Sequence, residues 1–281
     1  MLVNLKDIFK DYKGDFKAVA AFNVANIDMI RAVVDAAYLE KKPVVIQIHR
    51  RLLDDKMGEY LSEIIKYIAE DIDIPIVLHL DHGVDLIQIR KALDYEFTSV
   101  MIDGSALSFD ENVLLVKKTR ELIDLYGLGN KVSIEGELGG IPSAMGYGSS
   151  DNYKFTDPDE AEAFVKLTNI DALAIAFGTA HGIYTSKPKL NFELLKEISK
   201  RVNTPLVLHG GTGISNECII KSIKYGIKKV NIATELQKFY IDGIVDAQTK
   251  SSGSFLPWDI LTRQVRDNLT DLIRSKIKLV S

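Results

Sequence analysis

Three apolar runs in this chain each end in a histidine that is followed directly by glycine. The first run ends in the sequence HLDHG at 79–83, and the two later runs end in His181 and His209. Imidazole nitrogens are frequent zinc ligands, and a set of three leaves a fourth position for water or substrate, as in catalytic zinc sites. The pattern predicts a zinc (Zn2+) site formed by His82, His181 and His209. His79 lies deeper in its run, and we predict that it is structural.

Asp81 directly precedes the first predicted zinc ligand. A carboxylate in this position either acts as a general acid/base on the substrate or orients a neighbouring group. Strand alternation would put His79 and Asp81 on one face and Leu80 and His82 on the other. We therefore expect that not every polar group of this run serves the same site.

Two glycine-rich or polar segments follow the last two apolar runs. The sequence HGGTG at 209–213 leaves backbone N–H groups bare before the next helix, and NIAT at 231–234 ends the eighth run before a helix that begins at Glu235. Exposed N–H groups and the helix dipole favour a bound anion. A helix cap or tight turn is the alternative for either segment alone, and the presence of both favours a phosphate site.

Strand-like runs alternate with amphipathic helical stretches along the whole chain, which predicts an α/β fold. The eight runs span residues 18–24, 43–49, 74–82, 99–103, 132–138, 172–178, 205–209 and 229–234. The helical stretches span residues 27–40, 61–70, 86–93, 111–126, 157–167, 192–201 and 215–225. Eight such units predict a single-domain (β/α)8 TIM barrel over residues 1–281, with an additional C-terminal helix over 258–279. The carboxyl ends of barrel strands form the rim where active sites lie, and the histidines are expected there.

Composition limits the partners of this chain. Of its 281 residues, 46% are hydrophobic and 26% are charged, and the formal net charge is −4. These values argue against nucleic acid or an anionic membrane as the main partner. The single cysteine excludes an internal disulfide, and it suits the reducing cytoplasm that we expect for this protein. No stretch is long and apolar enough to span a bilayer.

Seven stretches of the sequence resemble the class II, metal-dependent ketose-bisphosphate aldolases, in the branch with fructose- and tagatose-bisphosphate aldolases. They occur in the order expected for that family and cover the barrel from end to end. The stretches are 21–24 (AFNV), 79–83 (HLDHG), 99–105 (SVMIDGS), 135–139 (EGELG), 178–182 (GTAHG), 208–211 (LHGG) and 229–234 (KVNIAT).

This resemblance implies a lyase that makes or breaks a C–C bond through a zinc-stabilised enediolate of dihydroxyacetone phosphate. His82, His181 and His209 would hold the zinc, and Asp81 would exchange the proton of the hydroxyl that becomes the aldehyde oxygen. Asp103 and Glu137 match carboxylates of a second metal position. A monovalent cation, Na+ or K+, is a further cofactor of this kind of site. The residues that match substrate binders are Asn23, Gly182, Gly210, Gly211, Thr212, Asn231, Ala233 and Thr234.

Two departures from the family pattern bear on the substrate. Met145 stands where the family usually has a loop glutamate that moves the C–H proton, so Glu137, Tyr147 or a metal-bound water would have to do so. His49-Arg50-Arg51 replaces a small residue that relatives carry after the second strand. This triplet is either a solvated basic turn or a site for the distal anion of the substrate, since arginine suits phosphate or sulfonate.

We therefore predict a zinc-dependent aldolase for a small-molecule sugar phosphate, in a homodimer or homotetramer. Fructose or tagatose bisphosphate, a deoxy-keto sugar phosphate and a sulfonated ketose are the candidate substrates. One alternative is a barrel that binds metal and sugar phosphate with weak or lost turnover, which Met145 favours. A Schiff-base aldolase is the other, but it needs a lysine at a strand tip, and Lys229 is expected to begin its strand.

Overall fold

Eight parallel strands form a closed barrel in the computed structural model, in which each strand pairs with its neighbours in the sequence and the last pairs with the first. The structure describes residues 1–11, 17–142, 154–251 and 254–281. The predicted (β/α)8 barrel is confirmed. The strands are β1 Val19–Asn23, β2 Val44–His49, β3 Ile76–Gly83, β4 Ser99–Ile102, β5 Ser133–Leu138, β6 Ala172–Ile175, β7 Leu206–Leu208 and β8 Ile227–Ile232.

Helices lie between the strands, and the predicted C-terminal helix is present. The helices are α1 Leu5–Asp11, α2 Ile27–Glu40, α3 Arg50–Asp54, α4 Met57–Glu70, α5 Leu86–Asp94, α6 Phe109–Leu125, α7 Pro158–Thr168, α8 Phe192–Arg201, α9 Asn216–Lys224, α10 Thr234–Lys250 and α11 Trp258–Val280. The last helix packs against α2 and α10. In the described part of the chain, no helix is both long and apolar enough to cross a membrane.

The predicted bounds of the last strand were wrong at both ends. β8 begins at Ile227 and ends at Ile232, and Thr234 is already the first residue of α10. Lys229 therefore lies inside the strand, where it pairs with Val19 of β1. Its side chain is fully buried in the barrel interior.

Small apolar side chains fill the barrel interior near the amino ends of the strands. We call this set the lower layer; it comprises Val19, Ala21, Val45, Val77, Ala172, Ala174 and Val207. Leu5 and Ile8 of α1 pack against it. The segment before α1 pairs with the start of β3 through Leu2 and Ile76, which places α1 across this end of the barrel. The helix therefore closes the barrel floor with apolar contacts.

Polar side chains occupy the interior above the lower layer. We call this set the upper layer; it comprises Gln47, His79, Ser99, Glu135 and Lys229, all fully buried. Lys229 Nζ donates to Glu135 Oε2 at 2.9 Å, and His79 Nδ1 lies 2.8 Å from Ser99 Oγ. A buried charge is tolerated when it is paired in this way. His79 is thus held inside the barrel, as expected of a structural residue.

Candidate active site

A cavity of about 430 Å³ opens at the carboxyl ends of the strands, directly above the upper layer. It brings together sixteen of the seventeen residues that the sequence marked as site candidates. Those lining it are Asn23, His49, Arg50, Arg51, Asp81, His82, Asp103, Glu137, His181, Gly182, His209, Gly210, Thr212, Asn231, Ala233 and Thr234. The exception is Gly211, whose N–H donates to the Asn231 carbonyl at 3.0 Å behind the cavity wall. That N–H is therefore not available to a ligand.

The three histidines that the sequence predicts as zinc ligands converge in this cavity. One ring nitrogen from each lies within 4.8 Å of the others. His82 Nδ1 lies 2.8 Å from Asp103 Oδ2 and His209 Nε2 lies 2.9 Å from Glu135 Oε1, so each ring donates its proton to a carboxylate. The opposite nitrogens, His82 Nε2 and His209 Nδ1, then direct lone pairs at each other across 3.1 Å.

The donor chemistry of this cluster fits a cation. Lone pairs that face each other repel unless a proton or a metal ion lies between them. His181 Nε2 is also buried and has no hydrogen-bond partner among the described residues. Carboxylates that hold the far nitrogen of a ligating imidazole are typical of zinc sites, because they fix the ring tautomer and orientation. His82, His181 and His209 are therefore suited to hold a divalent metal.

The electrostatics of the cluster agree with this donor set. Burial lowers the pKa of His181 to about 4 and holds the pKa of His209 well below its usual range, so both rings are neutral at pH 7. Burial also disfavours the charged form of His82, but the charge of Asp81 and the hydrogen bond that His82 donates to Asp103 outweigh it and raise the pKa of His82 to about 10. The site thus stabilises positive charge at His82 Nε2, where a metal ion would replace the proton.

The backbone at His82 corrects one expectation from the sequence. Simple alternation would turn His82 away from Asp81, yet both side chains line the cavity, and His82 Nε2 lies 4.0 Å from Asp81 Oδ1. The reason is that His82 adopts a left-handed conformation with φ of 56°, and the β3–β4 register shifts between Leu80 and Gly83. This conformation is unfavourable for residues other than glycine, so the surrounding structure must hold His82 in it.

Asp81 is held by a chain of two amides. Gln47 Nε2 donates to Asn23 Oδ1 at 2.9 Å, and Asn23 Nδ2 donates to Asp81 Oδ2 at 2.7 Å. The second oxygen, Asp81 Oδ1, is buried and accepts no hydrogen bond from the described residues. Burial raises the pKa of Asp81, but nearby positive charge, above all that of His82, holds it well below its usual range. The result is an oriented, ionised carboxylate with one oxygen open to a ligand.

Asp103 and Glu137 form a second possible metal set with His82, again with one ligand atom from each within 4.8 Å. Both oxygens of Asp103 already accept hydrogen bonds, one from His82 and the other from Ser105. Burial, followed by the charge of Asp103, raises the pKa of Glu137 well above its usual range, and its Oε2 has no described partner. Glu137 therefore faces the cavity with its protonated form favoured by burial.

One end of the cavity offers backbone donors. α10 begins there, and its capping residue Ala233 has no side chain that could occupy the first N–H groups. Thr212 Oγ1 accepts from the N–H of Glu235 at 3.1 Å and so ties the loop after β7 to this helix. Gly210 has a φ of 69°, and a Cβ atom there would collide with the Ala180 backbone. These features suit an anion at a helix N-terminus.

Basic side chains line another part of the cavity wall. His49 ends β2, and its Nδ1 accepts from the N–H of Arg51 at 3.2 Å, which caps the short helix α3. Burial lowers the pKa of His49 to about 4, so this ring is neutral. Arg50 and Arg51 line the cavity, and neither guanidinium forms an ion pair with another residue that the structure describes. Both are available to an anionic ligand.

Several residues around the cavity escaped the sequence analysis. Glu135 was noted only as part of a family motif, and Lys229 only as an unlikely Schiff-base lysine, yet they form the charged pair behind His209. Gln47 carries the orienting hydrogen bond to Asn23. Met145 and Tyr147, which the sequence singled out, lie outside the described residues.

Comparisons with known proteins agree with this geometry. The YdjI aldolase from Escherichia coli K12, known from an X-ray structure, matches with a TM-score of 0.87 and 35% identity over 100% of this chain and 98% of that chain. A 6-phospho-5-dehydro-2-deoxy-D-gluconate aldolase of Bacillus subtilis is 36% identical over 98% of this chain and 94% of its own length. A sulfofructosephosphate aldolase of Alkalicoccus urumqiensis is 36% identical over 85% of this chain and 82% of its own length.

The match to a protein family extends over nearly the whole chain. The family described as class-II fructose-bisphosphate aldolase matches residues 3–281, which include all eight strands and the entire cavity. The oligomeric state stays a prediction. The chain belongs to the class II fructose-bisphosphate aldolase family, and it is an aldolase, a carbon–carbon lyase.

Proposed function

We propose that this aldolase is zinc-dependent and cleaves a ketose phosphate that carries a second anionic group at the far end of its carbon chain. The observation that carries the proposal is the convergence of three imidazole nitrogens beside the open carboxylate oxygen of Asp81. Two of these nitrogens have their lone pairs oriented by partner carboxylates. Three such ligands leave one side of a metal open to substrate.

The chemistry divides between the metal and Asp81. Zinc held by His82, His181 and His209 would supply a Lewis acid that polarises the ketone and stabilises an enediolate of dihydroxyacetone phosphate. In cleavage, Asp81 Oδ1 takes the proton of the hydroxyl on the carbon that becomes the aldehyde. The O–H electron pair forms the new C=O bond of the aldehyde, and the electrons of the broken C–C bond remain with the dihydroxyacetone-phosphate half.

The state of Asp81 suits this proton transfer in both directions. Its lowered pKa keeps it ionised and ready to accept, and Asn23 holds the other oxygen at 2.7 Å so that Oδ1 faces the substrate. In the condensation direction the same oxygen returns the proton. For the proton that moves to and from carbon, Glu137 is the candidate among the described residues, because it lines the cavity and burial raises the pKa of its carboxyl group. Tyr147 is the alternative.

The two ends of the cavity suit two anions. The N-terminus of α10, with Thr212, Thr234 and Gly210 around it, would hold the phosphate of the triose half. Arg50 and Arg51 would hold the distal group. The names of two relatives support this arrangement, since 6-phospho-5-dehydro-2-deoxy-D-gluconate carries a carboxylate and sulfofructose phosphate carries a sulfonate beside the phosphate. A substrate with a distal carboxylate, sulfonate or phosphate follows from this chemistry.

Metal dependence is tested by removing and restoring the ion. We expect a chelator to abolish cleavage of a ketose phosphate and zinc to restore it, with one zinc per chain by elemental analysis. Borohydride added with substrate should leave no covalent adduct by mass spectrometry, because no lysine forms a Schiff base. Full activity after complete metal removal would contradict the proposal, as would stoichiometric zinc with no turnover across a panel of ketose phosphates.

The distal anion is tested with Arg51→Ala on the same panel. A hydrogen bond to a charged group contributes about 1.5–3 kcal/mol of binding free energy. Without it, KM for the best substrate with a distal anion should rise about 10- to 150-fold. Inhibition by dihydroxyacetone phosphate, which has no distal anion, should be unchanged. Arg31→Ala is the matched control, since Arg31 is exposed and pairs with Asp35 on α2. Equal losses for both ligands would show that Arg51 does not bind the distal group.

A further inference from the structure

The loops that carry His181 and His209 are not held together by the barrel sheet. Backbone pairing between β6 and β7 reaches only Ala174 and Val207. His181 lies well beyond the last of these pairs and outside the named strands, and its N–H donates to the Pro142 carbonyl at 2.8 Å rather than to the loop after β7. Another group must therefore fix the separation of the two histidines.

The hydroxyl of Tyr184 lies between these two loops. The N–H of Ala180 donates to Tyr184 Oη at 2.7 Å, and the Tyr184 hydroxyl donates to the carbonyl oxygen of Gly210 at 3.1 Å. Ala180 immediately precedes His181, and Gly210 immediately follows His209. One oxygen atom thus connects the backbone beside one histidine to the backbone beside the other.

The surrounding packing leaves this connection little room to move. Ala180 is buried, and the backbone of Gly210 approaches it so closely that a Cβ atom would collide with the Ala180 carbonyl. The ring of Tyr184 lies against Gly213, where a Cβ atom would be 3.1 Å from it. Tyr184 therefore contacts both ends of the glycine loop after β7: its hydroxyl contacts Gly210 and its ring contacts Gly213. That loop is also the proposed phosphate site.

We propose that Tyr184 is a positioning residue that sets the separation of His181 and His209 and the shape of the 210–213 loop. The inference rests on the proposed function, because it requires a metal on these histidines. Ligand atoms must stay within a few tenths of an ångström of their productive positions, and groups behind them commonly decide metal affinity. Tyr184 acts through the backbone and touches neither metal nor reacting carbon.

The test uses Tyr184→Phe, which removes one oxygen atom and leaves the ring in place. Tyr240→Phe is the matched control, because the buried Tyr240 also loses only its hydroxyl group, which donates to Asp28 at 2.8 Å away from the cavity. Zinc affinity is measured for both variants by competition with a chelating dye, together with KM and the melting temperature. We expect zinc affinity to fall about 10- to 100-fold in Tyr184→Phe, with a raised KM, and to stay unchanged in Tyr240→Phe.

The outcomes separate this inference from the proposed function. Should the unaltered protein bind no zinc through its histidines, the proposed function fails before Tyr184 is tested. Should the unaltered protein bind zinc while Tyr184→Phe keeps the same zinc affinity and KM, only the positioning role fails. A lowered melting temperature in both variants with equal zinc affinities would mean that the Tyr184 hydroxyl contributes to stability alone.

Discussion

The lower and upper layers lie inside one closed barrel of eight strands but are built from opposite kinds of side chain. The lower layer is apolar and is covered by Leu5 and Ile8 of α1. The upper layer contains a buried ion pair, Lys229 and Glu135, and supports the histidine cluster above it. Burying apolar surface stabilises the fold directly, whereas burying charges costs free energy that pairing only offsets.

This difference indicates how the barrel divides its tasks. The lower layer contributes stability and makes no contact with the cavity, so substitutions there should change the melting temperature alone. The upper layer contributes little net stability, but it fixes the ring of His209 through Glu135. Substitutions in the upper layer and the cavity should therefore change metal binding or rate. Four variants test this division.

The largest effect is expected in the cavity, with Asp81→Asn. The amide keeps the shape of the side chain but cannot take the hydroxyl proton, so kcat should fall about 10²- to 10⁴-fold. Zinc content should stay stoichiometric, since Asp81 is proposed as an acid/base and not as a ligand. Steady-state kinetics and elemental analysis check both parts. Loss of zinc in this variant would instead place Asp81 in the metal coordination sphere.

The next effect concerns the upper layer, with Lys229→Met. Removing the ammonium leaves Glu135 buried without its cationic partner, and breaking such a pair costs about 3–5 kcal/mol of unfolding free energy. The double variant Lys229→Met/Glu135→Gln should recover most of this stability, because no buried charge remains. Zinc affinity of the double variant should still be about tenfold weaker, since a neutral amide holds His209 less firmly. Denaturant unfolding and dye competition measure the two quantities.

A different result would change the comparison between the layers. If the double variant bound zinc as tightly as the unaltered protein, the charge of Glu135 would not be needed to hold His209, and the ion pair would contribute only to packing in the barrel interior. If Lys229→Met lost no stability, Glu135 would have to be neutral or otherwise compensated. In either case the upper layer would resemble the lower layer more closely than its hydrogen bonds suggest.

The sequence was most informative about the rim. Apolar runs closed by a histidine and glycine predicted the ends of β3 and β7, whereas β6 ends at Ile175 and His181 lies in the loop beyond it. The sixteen candidates that line one cavity come from strand ends, and from the loops and helices that follow them, far apart in the chain. This succeeds because the carboxyl ends of all strands in a parallel barrel meet at one face, so strand order alone brings their end residues together. The backbone of His82 could not be predicted, because alternation along a strand gives no sign of a left-handed residue at its tip.

The interior was less predictable. The pair Lys229–Glu135 joins residues on β8 and β5, and only the closure of the barrel places them in contact. α1 was also missed, although Asn4 and Asp7 exchange capping hydrogen bonds at its start. A helix of seven residues is not stable by itself. It forms here because its apolar side chains pack on the lower layer, and the local sequence gives little sign of that contact.

The smallest effect is expected at the barrel floor, with Ile8→Val in α1, which packs on the lower layer. Removing one buried methylene group from α1 should cost about 0.5–1.5 kcal/mol, which corresponds to a fall in melting temperature of about 1–6 °C. Because the variant stays folded, its zinc affinity, kcat and KM can be compared directly with those of the unaltered protein, and all three should be the same. Calorimetry and steady-state kinetics make the comparison. A change in zinc affinity in this variant would mean that packing at the barrel floor reaches the histidines through the strands, and the two layers could no longer be treated as independent.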